Sequence, residues 1–187
     1  MKKGQMFLAG AIVLVVGMIL LKLIMGTYEI AEEKRHQDSF IADRQIKNIK
    51  EQYENLINNA LINNRNDIQT HLSNFSNYLR SEFPDRIKIL YMMAIVNTDR
   101  DTNITIGNFL DDKINVTIAA KNFVLNDQTQ SSNLFSFDNI TLRYQYRNDN
   151  ITEVMKVDYI NATYVFFDII VGSDSFVRTK YVYNRTY

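Results

Sequence analysis

Seven asparagines stand two residues ahead of a serine or threonine: Asn74, Asn103, Asn115, Asn139, Asn150, Asn161 and Asn184. In this pattern the side-chain amide can accept a glycan, which is bulky and polar and needs an outward-facing, external position. The Asn, Ser and Thr content of the chain would give roughly two or three such motifs by chance, so seven are an excess. Six use Thr and lie in the second half of the chain. Where apolar residues alternate, the asparagine falls on the polar phase: Asn115 lies between Ile114 and Val116, and Asn139 precedes Ile140. The expectation is a glycoprotein whose second half faces outward.

Other residue types that could do chemistry do not combine. His36 and His71 are far apart and belong to no ligand motif. Asp99-Arg-Asp101-Thr-Asn103 starts like a calcium loop, but the Gly that should follow is missing and Leu110 stands where the bidentate Glu belongs, so it reads as an Asx-rich turn. On a strand, the adjacent Asp111 and Asp112 would point apart and could not share a proton. Cysteine is absent, which removes disulfides, thiolate metal sites and a thiol nucleophile. There is no Gly-rich phosphate loop, nucleophile elbow or zinc helix. The formal charge is zero and the pI about 6.7, which lacks the basic footprint of a nucleic-acid binder. The sequence therefore names no catalytic residue, metal or cofactor, and the expectation is a protein that is not an enzyme.

The element that must carry these motifs outward is Met6–Met25, apolar except for Lys22. As a helix it spans roughly the ~30 Å hydrocarbon core of a bilayer. Lys2 and Lys3 precede it, so its N-terminal end is expected to stay cytoplasmic, although Lys34 and Arg35 on the far side weaken the asymmetry. The Lys22 stem can reach the headgroups. The run is longer than the ~7–15 residues of a cleaved secretory signal. It also ends in Leu23-Ile-Met-Gly-Thr-Tyr-Glu29 without a small-x-small site. The expected localisation is the cell membrane, single-pass, with the C-terminal domain outside.

Three segments follow from this reading: 1–26, a basic tip and transmembrane helix; 27–84, a helical stalk and amphipathic helix; and 85–187, an external antiparallel β domain. The helical part has no Pro until Pro84. Its stripe of Ile46, Ile49, Tyr53, Leu56, Ile57, Ala60, Leu61, Ile68, Leu72, Phe75, Leu79 and Phe83 keeps steps of three and four, which mark one helix face. Asn63-Asn64-Arg65-Asn66 allows a break between two helices. The stripe can pack on a sheet or serve as a coiled-coil or filament interface. Strand patterns follow at Ile87–Val96, 114–118, 140–146, Tyr164–Val171 and Phe176–Tyr183, with turns at 97–102, 126–127, 148–150 and 172–174. The fold class is α+β: a transmembrane helix running into a long amphipathic region, then an antiparallel sheet or small sandwich.

Lys2-Lys3-Gly4-Gln5, followed at once by the apolar helix, resembles the class III signal peptide of archaeal type IV pilin-like proteins. The resemblance covers about the first twenty-five residues. It implies that a prepilin peptidase cuts between Gly4 and Gln5 on the cytoplasmic side. It also implies that the apolar helix then packs against copies of itself in a surface filament. Gly10 and Gly17, seven apart and hence on one face, would allow close approach. Many members of the family carry Glu five residues past the cut; this chain has Ala9. The same span and sheet also suit a monomeric single-pass envelope protein with an external binding or accessory domain. The partners expected are the lipid bilayer, the peptidase and further copies, and no nucleic acid.

Overall fold

The apolar run and the polar stretch after it belong to a single helix, α1 (Lys3–Asn63). It belongs to a computed structural model that describes residues 3–63, 67–98, 101–118, 121–127, 129–136, 139–158, 160–172 and 176–186, with side chains for all of these but 3–13, 63, 129–136 and 139. The chain divides into two compact units, Met1–Ile41 and Ala42–Tyr187. In the first, every described side chain from Leu14 to Ile41 is exposed except at Gly26. The helix is long and apolar enough there to cross a membrane. Thr27 does not break it; its hydroxyl donates back to the Ile24 carbonyl at 2.8 Å, a local bond that helices tolerate.

The second unit is a three-layer body. α1 ends at Asn63 and α2 (Ile68–Glu82) follows, so the asparagine-rich segment separates two helices. The Phe83 amide donates to the Leu79 carbonyl, and Pro84 cannot continue the helix. Among the described residues, nine antiparallel strands form two sheets. One has the order β5 (Thr129–Ser136), β2 (Asp101–Phe109), β1 (Ile87–Val96), β8 (Ala162–Val171), β9 (Val177–Thr186). The other has the order β4 (Lys121–Leu125), β3 (Ile114–Ile118), β6 (Asn139–Tyr146), β7 (Asp149–Lys156).

The helical stripe covers the five-stranded sheet. Ile46, Ile49, Tyr53, Ile57, Ala60, Ile68, Leu72 and Leu79 are buried against Ile89, Tyr91, Met93, Val165, Phe167 and Ile169. The opposite phase of the same strands, Leu90, Met92, Ala94, Tyr164 and Phe166, meets Val116, Ile118, Leu142 and Ile151 of the four-stranded sheet. The central sheet is thus covered on both faces, which explains why β1 and β8 read as unbroken apolar runs.

Four strands escape the apolar pattern. β2 is rich in Thr and Asn and still buries Thr102, Thr105 and Asn108 fully. Its first residue, Asp101, pairs with Ser136, so the turn expected over 97–102 gives way to a strand two residues sooner. The Asn97 amide closes that hairpin on the Asp101 carbonyl at 2.9 Å. β4 and β7 lie at the edges of the four-stranded sheet and need few apolar residues. β5 is an edge strand of mostly polar composition. Asp111 and Asp112 lie in the turn between β2 and β3, where Asp111 has a φ of 64°.

Candidate functional site

The structure sorts the seven sequons by what their serine or threonine does. On α2, Asn74 is exposed, but Ser76 is fully buried. The Ser76 hydroxyl donates to the Leu72 carbonyl at 2.8 Å and therefore accepts from the Tyr53 hydroxyl at 2.7 Å. On β2, Asn103 is half-buried, and Thr105 lies wholly buried with its hydroxyl 3.3 Å from Gln69 Oε1 of α2. Asn161 is half-buried at a bend with a φ of 55°, and Thr163 is buried.

Three of the remaining motifs are open. Asn115 on β3 is exposed, and the half-buried Thr117 donates to Asn122 Oδ1 at 2.7 Å on the sheet surface. On β7 both Asn150 and Thr152 are exposed, as are Asn184 and Thr186 on β9. Asn139 pairs with Lys156 at the start of β6; its side chain lies outside the described residues. Gly4 and Gln5 belong to α1, and their surroundings lie outside the described side chains too.

Two polar networks are not legible as sites in the sequence. The first centres on Asp168, fully buried on β8. Arg178 of β9 clamps it with two bonds, Nε to Oδ1 at 2.9 Å and Nη2 to Oδ2 at 2.5 Å. The Tyr144 hydroxyl of β6 donates to Oδ2, and Arg178 reaches Asp149 at 2.9 Å. Three strands drawn from both sheets meet at one carboxylate, and a fourth, β7, joins through Arg178. Its bonds to Asp168 hold the Arg178 pKa above the ordinary arginine value against the opposing cost of burial. Burial, with Asp168 beside it, pushes the Tyr144 phenol up. Both carboxylate oxygens are occupied, and the carboxylate is closed to solvent. Chemically this is a bidentate ion pair that staples the sheets. The sequence signal was a lone acidic residue inside a ten-residue apolar strand.

The second network ties α2 to the loops. Arg80 pairs with Asp127 at 2.6 Å and with Asp111, which also takes Lys88 at 2.9 Å. Beneath them the buried Asn108 amide donates to the carbonyls of Asp112, Leu125 and Asn126 at 2.7–3.1 Å. A shallow groove of about 340 Å³ between the helices is lined by Ile49, Phe75, Tyr78 and Phe83 with Gln45 and Asn48.

His36 and His71 are both exposed, on different helices. Among the described residues no group of three metal-ligating side chains converges. No family model matches the chain, and no curated protein and no solved structure is significantly similar to it.

Proposed function

We propose that this chain is a membrane-anchored cell-surface protein that serves as a pilin-like subunit of an extracellular filament. One observation carries the reading: the span-length apolar segment and the polar stretch beyond it form one uninterrupted helix. A filament of this type uses a single helix first as anchor and then as core. The apolar side chains Leu14 to Met25 are exposed, Ile24 to 68%, and need either lipid or copies of the same helix against them. Tyr28, Ile30, Phe40 and Ile41 are exposed as well, beyond the length that lipid would cover. Exposed apolar side chains on an otherwise polar stretch favour packing between copies. The Lys-Lys-Gly-Gln junction before the apolar segment supports processing between Gly4 and Gln5 on the cytoplasmic side, and the β domain would then lie outside.

N-terminal sequencing of the protein recovered from its own membranes tests the route. Gln5 as first residue, with filaments on co-expression with a prepilin peptidase, is the expected result. An intact N-terminus with a detergent-solubilised monomer and no filaments overturns it in favour of a monomeric anchored accessory domain. Protease added to intact cells should remove the β domain; protection until lysis would overturn the topology.

A further inference from the structure

We propose that the outer face of the four-stranded sheet is a glycan-bearing face on which Asn115 and Asn150 are modified as a side-by-side pair; this rests on the external placement proposed above. The strand register brings the two together. β3 and β7 both run antiparallel to β6, and Thr117 and Thr152 are both paired with Arg143. Each asparagine lies two residues earlier on its strand, so both fall opposite Gln145, and Asn150 is paired with it. Two strand spacings, about 10 Å, separate them. Asn115 and Asn150 stand 35 positions apart in the sequence, and the fold sets them in one row.

Their orientation follows from the core. The middle residue of each motif, Val116 or Ile151, is buried between the sheets. Asn and Thr, two apart, therefore share the opposite face. That face also presents Arg143 and Gln145, together with Val124 and Val154, 59% and 57% exposed. Among the described residues no helix or strand covers it. A pair of glycans would shade those valines and keep other protein from packing there. A third motif enters the same sheet at Asn139, and its Thr141 is paired with Val154.

The same criterion withholds three motifs. A transferase that reads Asn-x-Ser/Thr must engage both residues. Ser76, Thr105 and Thr163 are fully buried, so the folded chain does not offer Asn74, Asn103 or Asn161. The donor is a lipid-linked glycosyl diphosphate. The Asn Nδ2 bonds to the sugar C1, the bond from C1 to the phosphate oxygen breaks, the amide gives up one proton, and the lipid diphosphate leaves.

The test is glycopeptide mass spectrometry on the protein from its own membranes, carrying an added sequon after Tyr187 as a control. Asn115 and Asn150 should be occupied, and Asn74, Asn103 and Asn161 bare. Thr117→Ala and Thr152→Ala should each remove one glycan, and Thr117→Ser and Thr152→Ser should retain it. A modified control with bare Asn115 and Asn150 overturns the sheet-face assignment and leaves the external placement standing. A bare control and bare sheet overturn the external placement and the assignment with it. Equal occupancy of the buried motifs shows transfer before folding and overturns the selection by the fold.

Discussion

The five-stranded and four-stranded sheets share one core and differ in what covers their backs. Helices close the first, so all ten residues of β8 are buried. Nothing described closes the second, so β3 alternates between buried and exposed positions. The same backbone geometry thus gives two kinds of sequence, and the kind records how many faces are dry. The difference also bears on the modification proposed above. A face sealed by α1 and α2 contributes stability, and the open face of Thr, Asn and Gln is the one we propose carries glycans.

The strongest way to break this comparison is to cut adjacent residues. Phe166 and Phe167 point to opposite faces of β8, into different cores. Phe166→Ala and Phe167→Ala should each destabilise by about 3–5 kcal/mol. On β7 the neighbours Val154 and Met155 should separate: Met155→Ala costs about 2–5 kcal/mol, and Val154→Ala stays within about 0.5 kcal/mol. Urea unfolding of the 187-residue chain in detergent micelles measures all four. A Val154→Ala loss as large as that of Met155→Ala would mean that the outer face is covered.

The two sheets also explain what was legible. Period-two and apolar-run patterns reveal β1, β3, β6 and β8, because their burial is apolar, and the half-buried Val177, Tyr181 and Tyr183 reveal β9. The stripe from Ile46 to Leu79 reveals the helical face, and the structure decides its partner, the five-stranded sheet. β2 stayed hidden because its buried Thr102, Thr105 and Asn108 are polar, and Thr105 and Asn108 are bonded by groups from elsewhere in the fold. For the same reason the sequence marked seven sequons alike. Whether Thr105 or Thr117 is accessible depends on α2 and on strand register, which are long-range facts.

Asp168 tests the seam between the sheets. Asp168→Asn keeps the shape and removes the charge that Arg178 and Tyr144 both use. Breaking one side of a buried pair should cost about 3 kcal/mol. Replacing the set with apolar residues, Asp168→Leu with Arg178→Met and Tyr144→Phe, should recover most of it. If the triple variant is no more stable than Asp168→Asn, the pair is not the source of the cost.

On the sealed face, Tyr91 lies across Gly107, its cross-strand partner, and stacks on Phe109 with centroids 6.0 Å apart. A Cβ at Gly107 would overlap the Tyr91 ring. Gly107→Ala should therefore cost about 1–3 kcal/mol by overpacking, and Tyr91→Leu in the same chain should relieve part of it. Additive losses would show that the ring is not what the methyl meets.

Alkaline pH probes the sealed layers together. Burial raises the phenol pKa of Tyr53, Tyr91, Tyr144 and Tyr181. The unfolded chain releases these protons near pH 10 and the folded chain holds them. Their contribution is fully present below pH ~10 and falls as pH rises beyond it, since the unfolded state then binds fewer protons. Tyrosinate absorbance from these four residues should appear with unfolding; its appearance in folded protein near pH 10 would mean that they are open to water.

The smallest expected effect separates two tyrosines of the helix-covered face. Both rings pack on Phe167, Tyr53 at 4.5 Å and Tyr181 at 5.0 Å between centroids. Their hydroxyls differ. That of Tyr53 donates to Ser76; that of Tyr181 is buried without a partner. Deleting a paired hydroxyl removes a bond, so Tyr53→Phe should cost about 1 kcal/mol. Deleting an unpaired one removes a desolvated group, so Tyr181→Phe should be neutral or stabilise by up to about 1 kcal/mol. The ring keeps its stack on Phe167 and its place under Lys50 Nζ, 4.7 Å from the centroid. Chemical unfolding of both variants under one set of conditions reads the difference. A Tyr181→Phe loss equal to that of Tyr53→Phe would show that the hydroxyl has a bound partner, and that the sealed face admits water at the β9 edge.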